Sequence, residues 1–304
     1  MTQITRRAAL TATAALPLAA ALPVAAAAPK QGPVLQNIRR FALGDLEVTT
    51  LLANTVTNPA DPQTIFGMNV DAETFREVSE AAHIPSDVNQ FFFTPTLVNT
   101  GESLVLFDTG QSGDGIASVL EAAGYATDDV DTVVITHMHG DHIGGLMRNG
   151  APTFANASYM TGRAEYDAWA AREAENFQAN VVPLAKKMTF LEDGQDAAPG
   201  ITAVAAFGHT PGHMNYRLSS GDNSLLIAAD LANHYVWSLA HPDWEVRFDM
   251  DKEAAAATRR AVLGMLAAEK MPMIGYHMPF PAVGYVDTRG DGFHWVPESY
   301  QMML

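Results

Sequence analysis

The sequence predicts one α/β domain built from two similar halves, and three observations carry that reading. Short apolar runs alternate with stretches of helical periodicity; the strand–helix order of the first half recurs after about residue 157; and the polar residues able to do chemistry fall at strand ends, where open α/β sheets place their sites. No sharp linker divides the halves, so residues 41–304 read as a single domain.

Composition narrows the class further. With 304 residues, 48% apolar and 17% charged, the chain can build a sizeable core, which excludes disordered and collagenous classes. It has 0 Cys, so disulfides, thiolate nucleophiles and thiolate metal ligands are excluded too. A net charge of −16 opposes general attraction to nucleic acid or to an anionic membrane. Residues 1–27 read as a twin-arginine-type signal peptide: Arg6 and Arg7 precede an Ala/Leu run, and Ala25 and Ala27 supply the small residues of a cleavage site. Pro17 and Pro23 interrupt the run, which argues against a stable membrane anchor and points to a periplasmic or secreted destination. Residues 28–40 are read as a linker.

The elements follow in order. Residues 41–52 alternate apolar and polar and read as a strand, whereas 53–90 are rich in Asn, Pro and Asp and read as a long loop or lid. Residues 96–98 and 103–107 flank Asn99-Thr100-Gly101-Glu102 as a hairpin that delivers Asp108 at a strand end. A helix near 116–123 leads to an apolar strand at 132–135. In the second half, a strand at 157–161 and a helix at 165–177 precede a strand at 201–207 that ends on Gly208-His209. A hairpin of 216–219 and 224–229 ends at Asp230. Asp251 caps a helix running to Lys270, with Ala255, Thr258, Val262, Met265 and Leu266 on one face, and a strand at 271–276 ends at His277.

The strongest chemical signal is Thr136-His137-Met138-His139-Gly140-Asp141-His142. His137 and His139 are two apart, so an extended backbone points both rings the same way, and the turn at Gly140 carries Asp141 and His142 toward a second point. One stretch can therefore feed two metals. A pattern of this kind arises by chance in on the order of one such chain in a thousand. Imidazole and carboxylate without sulfur suit Zn²⁺ best, but also Fe, Mn or Co.

This motif, with Gly208-His209-Thr210-Pro211-Gly212-His213, Ala229-Asp230 and His277, resembles the metallo-β-lactamase superfamily across residues 41–297. The resemblance implies an αβ/βα sandwich: two mixed sheets with outer helices. It implies two divalent metal ions, one held by His137, His139 and His209, the other by Asp141, His142 and His277, with Asp230 bridging both. Asp141 and Asp230 thereby become the carboxylates on which catalysis depends, and a water held between the metals becomes the nucleophile. Asp108, Thr136, Thr210 and His213 are expected to support these ligands from behind.

Within the superfamily the chain is most similar to the methyl parathion hydrolase group, through Leu97-Val98-Asn99-Thr100-Gly101, the Gly208–His213 loop and His277-Met278-Pro279-Phe280-Pro281. That likeness implies hydrolysis of esters, lactones or organophosphate triesters, small uncharged substrates, and a homodimer. It also matches Trp169 and Phe177 to aromatic pocket positions, while the alternation of Phe91-Phe92-Phe93 and the place of His234 shortly after Asp230 add Phe93 and His234 as expected substrate contacts. Residues 111–115 are short and polar where phosphotriesterase members carry a longer apolar insert. Two alternatives stay open: an acyl-homoserine lactonase, whose usual Tyr three residues after the bridging Asp is here Asn233, and a mononuclear iron dioxygenase on the same fold.

Overall fold

The computed structural model describes residue 32 and residues 34–303; the signal segment expected at 1–27 lies outside the described residues. Gln36–Leu304 forms one unit by its contacts. Strand β1 (Ile38–Leu43) turns at Gly44-Asp45 into β2 (Leu46–Leu51), so the single strand expected at 41–52 is a hairpin whose first residues come from the expected linker. Gly44 has φ +59°, and a side chain there would meet Ser220 Oγ at 2.5 Å.

Next come β3 (Asn54–Asn58), α1 (Ala72–Ala81) and β4 (Asn89–Phe93), a correction to the loop read over 53–90. Asp71 starts α1 by accepting the Thr74 N–H. The segment is anchored from far away: Phe75 stacks on Trp237 at 5.1 Å, and the Trp237 indole N–H donates to Ser79 Oγ at 2.9 Å. A partner more than 150 residues distant leaves no local period to read.

The first sheet continues through β5 (Thr96–Asn99), β6 (Leu104–Phe107) and β7 (Thr132–Ile135), the β6–β7 crossover running through α2 (Gly113–Ala122). After α3 (Gly140–Ile143) and the small ribbon β8 (Met147–Arg148) with β9 (Ala151–Pro152) come β10 (Ser158–Gly162), α4 (Arg163–Ala170), α5 (Glu175–Asn180) and β11 (Met188–Leu191). The helix expected over 165–177 is thus two helices, broken where Glu173 takes φ +52°. The sheet order is β1-β2-β5-β6-β7-β10-β11, parallel from β6 onward.

The second sheet takes its seven strands in chain order: β12 (Asp196–Ala198), β13 (Ile201–Ala205), β14 (Met214–Ser220), β15 (Asn223–Ala229), β16 (Met273–Gly275), β17 (Val283–Arg289) and β18 (Gly292–Pro297). Only β15–β16 is parallel, and α6 (Lys252–Glu269) makes that crossover. Its buried residues are Ala255, Arg259, Leu263 and Leu266, so the apolar face is rotated from the one expected. Arg259 is the reason, because it sits inside the face with its charge paired.

The two sheets stack into the sandwich that the resemblance implies. Along β6, Val105 and Phe107 point into the core shared with Tyr216, Leu218 and Ile227, while Leu104 and Leu106 join Ile116, Val119 and Leu120 of α2 on the outer side. With both faces covered, β6 is apolar throughout, as its uninterrupted run Leu-Val-Leu-Phe requires. No helix among the described residues is long and apolar enough to cross a membrane.

Candidate metal centre

The site forms where β6, β7 and β15 end. Two non-glycine residues there hold positive φ, Asp108 at +60° and Ala229 at +44°, a strain of about 1–3 kcal/mol each that the surrounding bonds sustain. Asp108 accepts the Thr136 N–H and O–H at 2.9 and 2.8 Å and the His142 Nδ1–H at 2.8 Å, so one buried carboxylate sets the start of the His motif. Thr136 Oγ1 in turn takes the His137 Nδ1–H at 3.2 Å. Gly208 and Gly212 let the second loop approach: a Cβ at Gly208 would lie 2.3 Å from Ala255 N, and one at Gly212 2.1 Å from Glu165 N.

All seven residues expected to bind metal come together, in two adjoining groups. His137 Nε2, His139 Nδ1 and His209 Nε2 lie 3.0–3.2 Å from one another and gather with Asp230; Asp141, His142 and His277 form the second group. Asp230 faces both. Its Oδ2 is 3.3 Å from His209 Nε2 and 3.2 Å from His277 Nε2, while Oδ1 is 3.2 Å from His142 Nε2.

The donor set fits divalent ions. Three nitrogens about 2.0 Å from a tetrahedral ion stand about 3.3 Å apart, near the spacing found. His142 Nε2 and Asp230 Oδ1 are buried and, apart from facing each other at 3.2 Å, make no hydrogen bond, as ligand atoms would. The outer ring nitrogens are meanwhile engaged: His209 Nδ1 donates to Asp249 at 2.9 Å and His277 Nδ1 to the Phe92 carbonyl at 2.8 Å. His213 belongs to neither of the two ligand groups. Its Nε2 accepts the Asp230 N–H and its Nδ1 donates to the Ala206 carbonyl, which seats Asp230.

Two supporting carboxylates escaped the sequence reading. Glu165, fully buried, accepts the Met138 N–H at 2.9 Å on one oxygen, and the Thr210 O–H and Gly212 N–H at 2.7 and 2.9 Å on the other. It therefore ties the His137–His139 stretch to the His209 loop. Burial raises its pKa, against the pull of those three bonds. In sequence it looks like an ordinary first-turn acid of a helix. Asp249 joins His209 to Arg259, whose Nη2 donates at 2.6 Å. A signal for this pair existed, since an arginine on the apolar face of a helix needs a buried acid.

Electrostatics divides the metal-free imidazoles. Burial and neighbouring rings hold His137 well below its usual pKa and His139 at about 3. Burial also opposes charge on His142, His209 and His277, but the carboxylates win, raising His142 well above normal, His209 to about 9 and His277 to about 10. These three carry protons at neutral pH, and metals must displace them. Metal loading at pH 7 is expected to release at least three protons per chain in a weakly buffered titration, and affinity should rise with pH until those groups have titrated. Release of none, or a pH-independent affinity, would contradict these charge states.

A cleft of about 560 Å³ opens over the two groups. Three phenylalanines (Phe91, Phe93 and Phe248) and three carboxamides (Gln111, Asn176 and Asn180) line it, with no Lys or Arg among its lining residues. Of the four expected substrate contacts, Phe93 is here. Trp169 is not among the cleft-lining residues; it meets the site from behind, edge-on to His139 at 5.7 Å and beside the Glu165 carboxylate. Phe177 requires correction: it is 1% exposed and packed in the core, because the break before α5 turns Asn176 and Asn180 to the cleft instead. His234 is also displaced from its expected role, since it caps the π-helical turn Tyr235–Ala240 and lines a different cavity.

Comparison with known proteins decides the family, because the sequence profile described as the metallo-beta-lactamase superfamily matches residues 94–269. The chain belongs to that superfamily. Among curated metallo-β-lactamase relatives, an N-acyl homoserine lactonase of Bacillus sp. is 32% identical over 102 residues, 34% of this chain and 38% of that protein. One from Bacillus cereus is 31% identical over 114 residues, 38% and 43% of the respective chains. The chain thus spans less than half the length of these relatives. Two solved structures match far more of it. AidC, a dizinc quorum-quenching lactonase seen with a product, has a TM-score of 0.79 at 25% identity, covering 87% of this chain and 98% of its own. The hydrolase AbOPH also reaches 0.79 at 25% identity, covering 88% and 100%. The sandwich described above is the metallo-β-lactamase fold.

Proposed function

We propose that this chain is a binuclear metal-dependent hydrolase of small uncharged lactones and esters, with N-acyl homoserine lactones as the leading substrate class. The observation that carries the reading is the pair of ligand groups sharing Asp230 beneath a cleft that has aromatic and carboxamide walls and no Lys or Arg. When bound, a metal pair supplies an activated water and polarises the substrate oxygen. The rest falls to the protein's own side chains. Phe91, Phe93 and Phe248 offer apolar surface to an acyl or aryl group, and Gln111, Asn176 and Asn180 offer hydrogen bonds to an amide or ester. Asp141 and Asp230 offset part of the metal charge. Asn233, 2% exposed, donates to Asp230 Oδ2 at 2.9 Å, so it orients that carboxylate rather than reaching substrate.

The lactonase relatives and AidC support the lactone class. The polar residue Gln111, held by Asn54 at 2.6 Å, supplies no aromatic wall for a phosphotriester leaving group. The full second ligand group, Asp141, His142 and His277, speaks against a mononuclear iron dioxygenase. Action outside the cytoplasm after twin-arginine export is part of the proposal and rests on Arg6, Arg7 and the Ala-rich run.

The test strips the protein of metal, restores zinc alone without oxygen, and assays a panel of N-acyl homoserine lactones, aryl esters and phosphotriesters. About two zinc per chain with restored lactone turnover is expected, since zinc needs no redox change. A zinc protein that stays inactive and revives only with iron and oxygen would overturn the reading.

A further inference from the structure

Strand β4 separates two cavities. Phe91 and Phe93 line the metal cleft, whereas Gln90 and Phe92, with Asn89 at the start of the strand, line a second cavity of about 400 Å³. His277 borders both, but its nitrogens are committed to the carboxylates and to the Phe92 carbonyl. The second cavity is walled mainly by Ile84, Val88, Phe92, Trp237 and Pro279, and none of its lining residues is Lys, Arg, Asp or Glu.

Two polar groups in this apolar lining stand without partners. Asn89 is 2% exposed, yet neither its Nδ2 nor its Oδ1 makes a hydrogen bond. Such a buried amide is uncommon and costly unless something completes it. His234 Nδ1 accepts the Val236 and Trp237 N–H groups, both at 3.1 Å, which places the ring proton on Nε2. That Nε2–H has no hydrogen-bond partner among the described residues. Burial holds the ring neutral, with its pKa lowered to about 3.

We propose that this cavity is a second small-molecule site, distinct from the metal cleft, for an uncharged ligand with an apolar chain and a secondary amide. The amide carbonyl would accept from Asn89 Nδ2 or His234 Nε2, and the amide N–H would donate to Asn89 Oδ1. A carboxylate would meet no cation there, so the acid of the same length is excluded by its desolvation cost. The size and the mix of apolar wall with few polar groups are those of small-ligand pockets.

The probe is N-hexylacetamide, which has no ester or lactone and cannot be turned over, titrated by calorimetry into metal-loaded protein. One saturable site is expected, with heptanoate binding at least tenfold more weakly. Asn89→Leu and the cavity-filling Val88→Trp should each weaken the amide at least tenfold, while Phe248→Ala, in the metal cleft, should change it less than twofold. Because Asn89 is unpaired, Asn89→Leu should melt no lower than the wild type; should it fail to fold, Val88→Trp decides alone. The proposal is overturned if no saturable binding occurs, if heptanoate binds equally, if the cavity variants leave affinity unchanged, or if Phe248→Ala abolishes it. None of these outcomes touches lactone hydrolysis at the metals, so the two readings stand or fall separately.

Discussion

Replacing Asp230 by Asn should remove metal and activity together, lowering kcat/KM on the order of 10³-fold or more, about 4 kcal/mol of transition-state stabilisation. The substitution keeps shape and deletes charge. Asn233 already donates to Oδ2, so the new carboxamide keeps its oxygen there and turns its NH₂ toward His142 Nε2, 3.2 Å from Oδ1. A donor then occupies the place of a ligand. Since Asp230 is, among the described residues, the one carboxylate within reach of both His209 and His277, metal content is expected to fall from two ions to below one per chain, not merely to one. Elemental analysis beside initial rates checks this. Two retained ions with near-normal turnover would show that the groups do not share Asp230.

Glu165→Leu should be the most damaging change away from the ligands themselves. It leaves the Met138 and Gly212 N–H groups and the Thr210 hydroxyl without an acceptor inside the protein, at about 1–3 kcal/mol each. The metal-free protein is expected to lose about 3 kcal/mol or more and to melt roughly 10 °C lower. Zinc affinity, measured by competition with a chelator, should weaken about 10–100-fold because both ligand loops lose their common anchor. Glu165→Gln keeps one accepting oxygen and should fall between. A Leu variant with wild-type melting and zinc affinity would show that the carboxylate is not a brace.

What could be read in advance was local. His137–His142, Gly208–His213, Asp230 and His277 all follow short apolar strands, and strand ends in such sheets expose their next residues to a common edge. Hairpin turns also marked β5, β6, β14 and β15, because that signal spans only a few residues. Strands β17 and β18 and the ordered segment before β4 were not foreseen.

By itself, then, the sequence determined which residues can bind metal, the absence of sulfur from that set, and the class of fold. Only the tertiary structure decided what surrounds them. Glu165 became a brace because α4 lies against the loop at Gly212, and Arg259 could enter an apolar face because Asp249 meets it there. A break of four residues between α4 and α5 sent Phe177 inward and Asn176 to the cleft, and His234 left the metal site for a cavity behind β4. Each of these depends on side-chain direction set by packing between segments tens to more than a hundred residues apart. Local periodicity reports the face of an element, not the partner that will cover it.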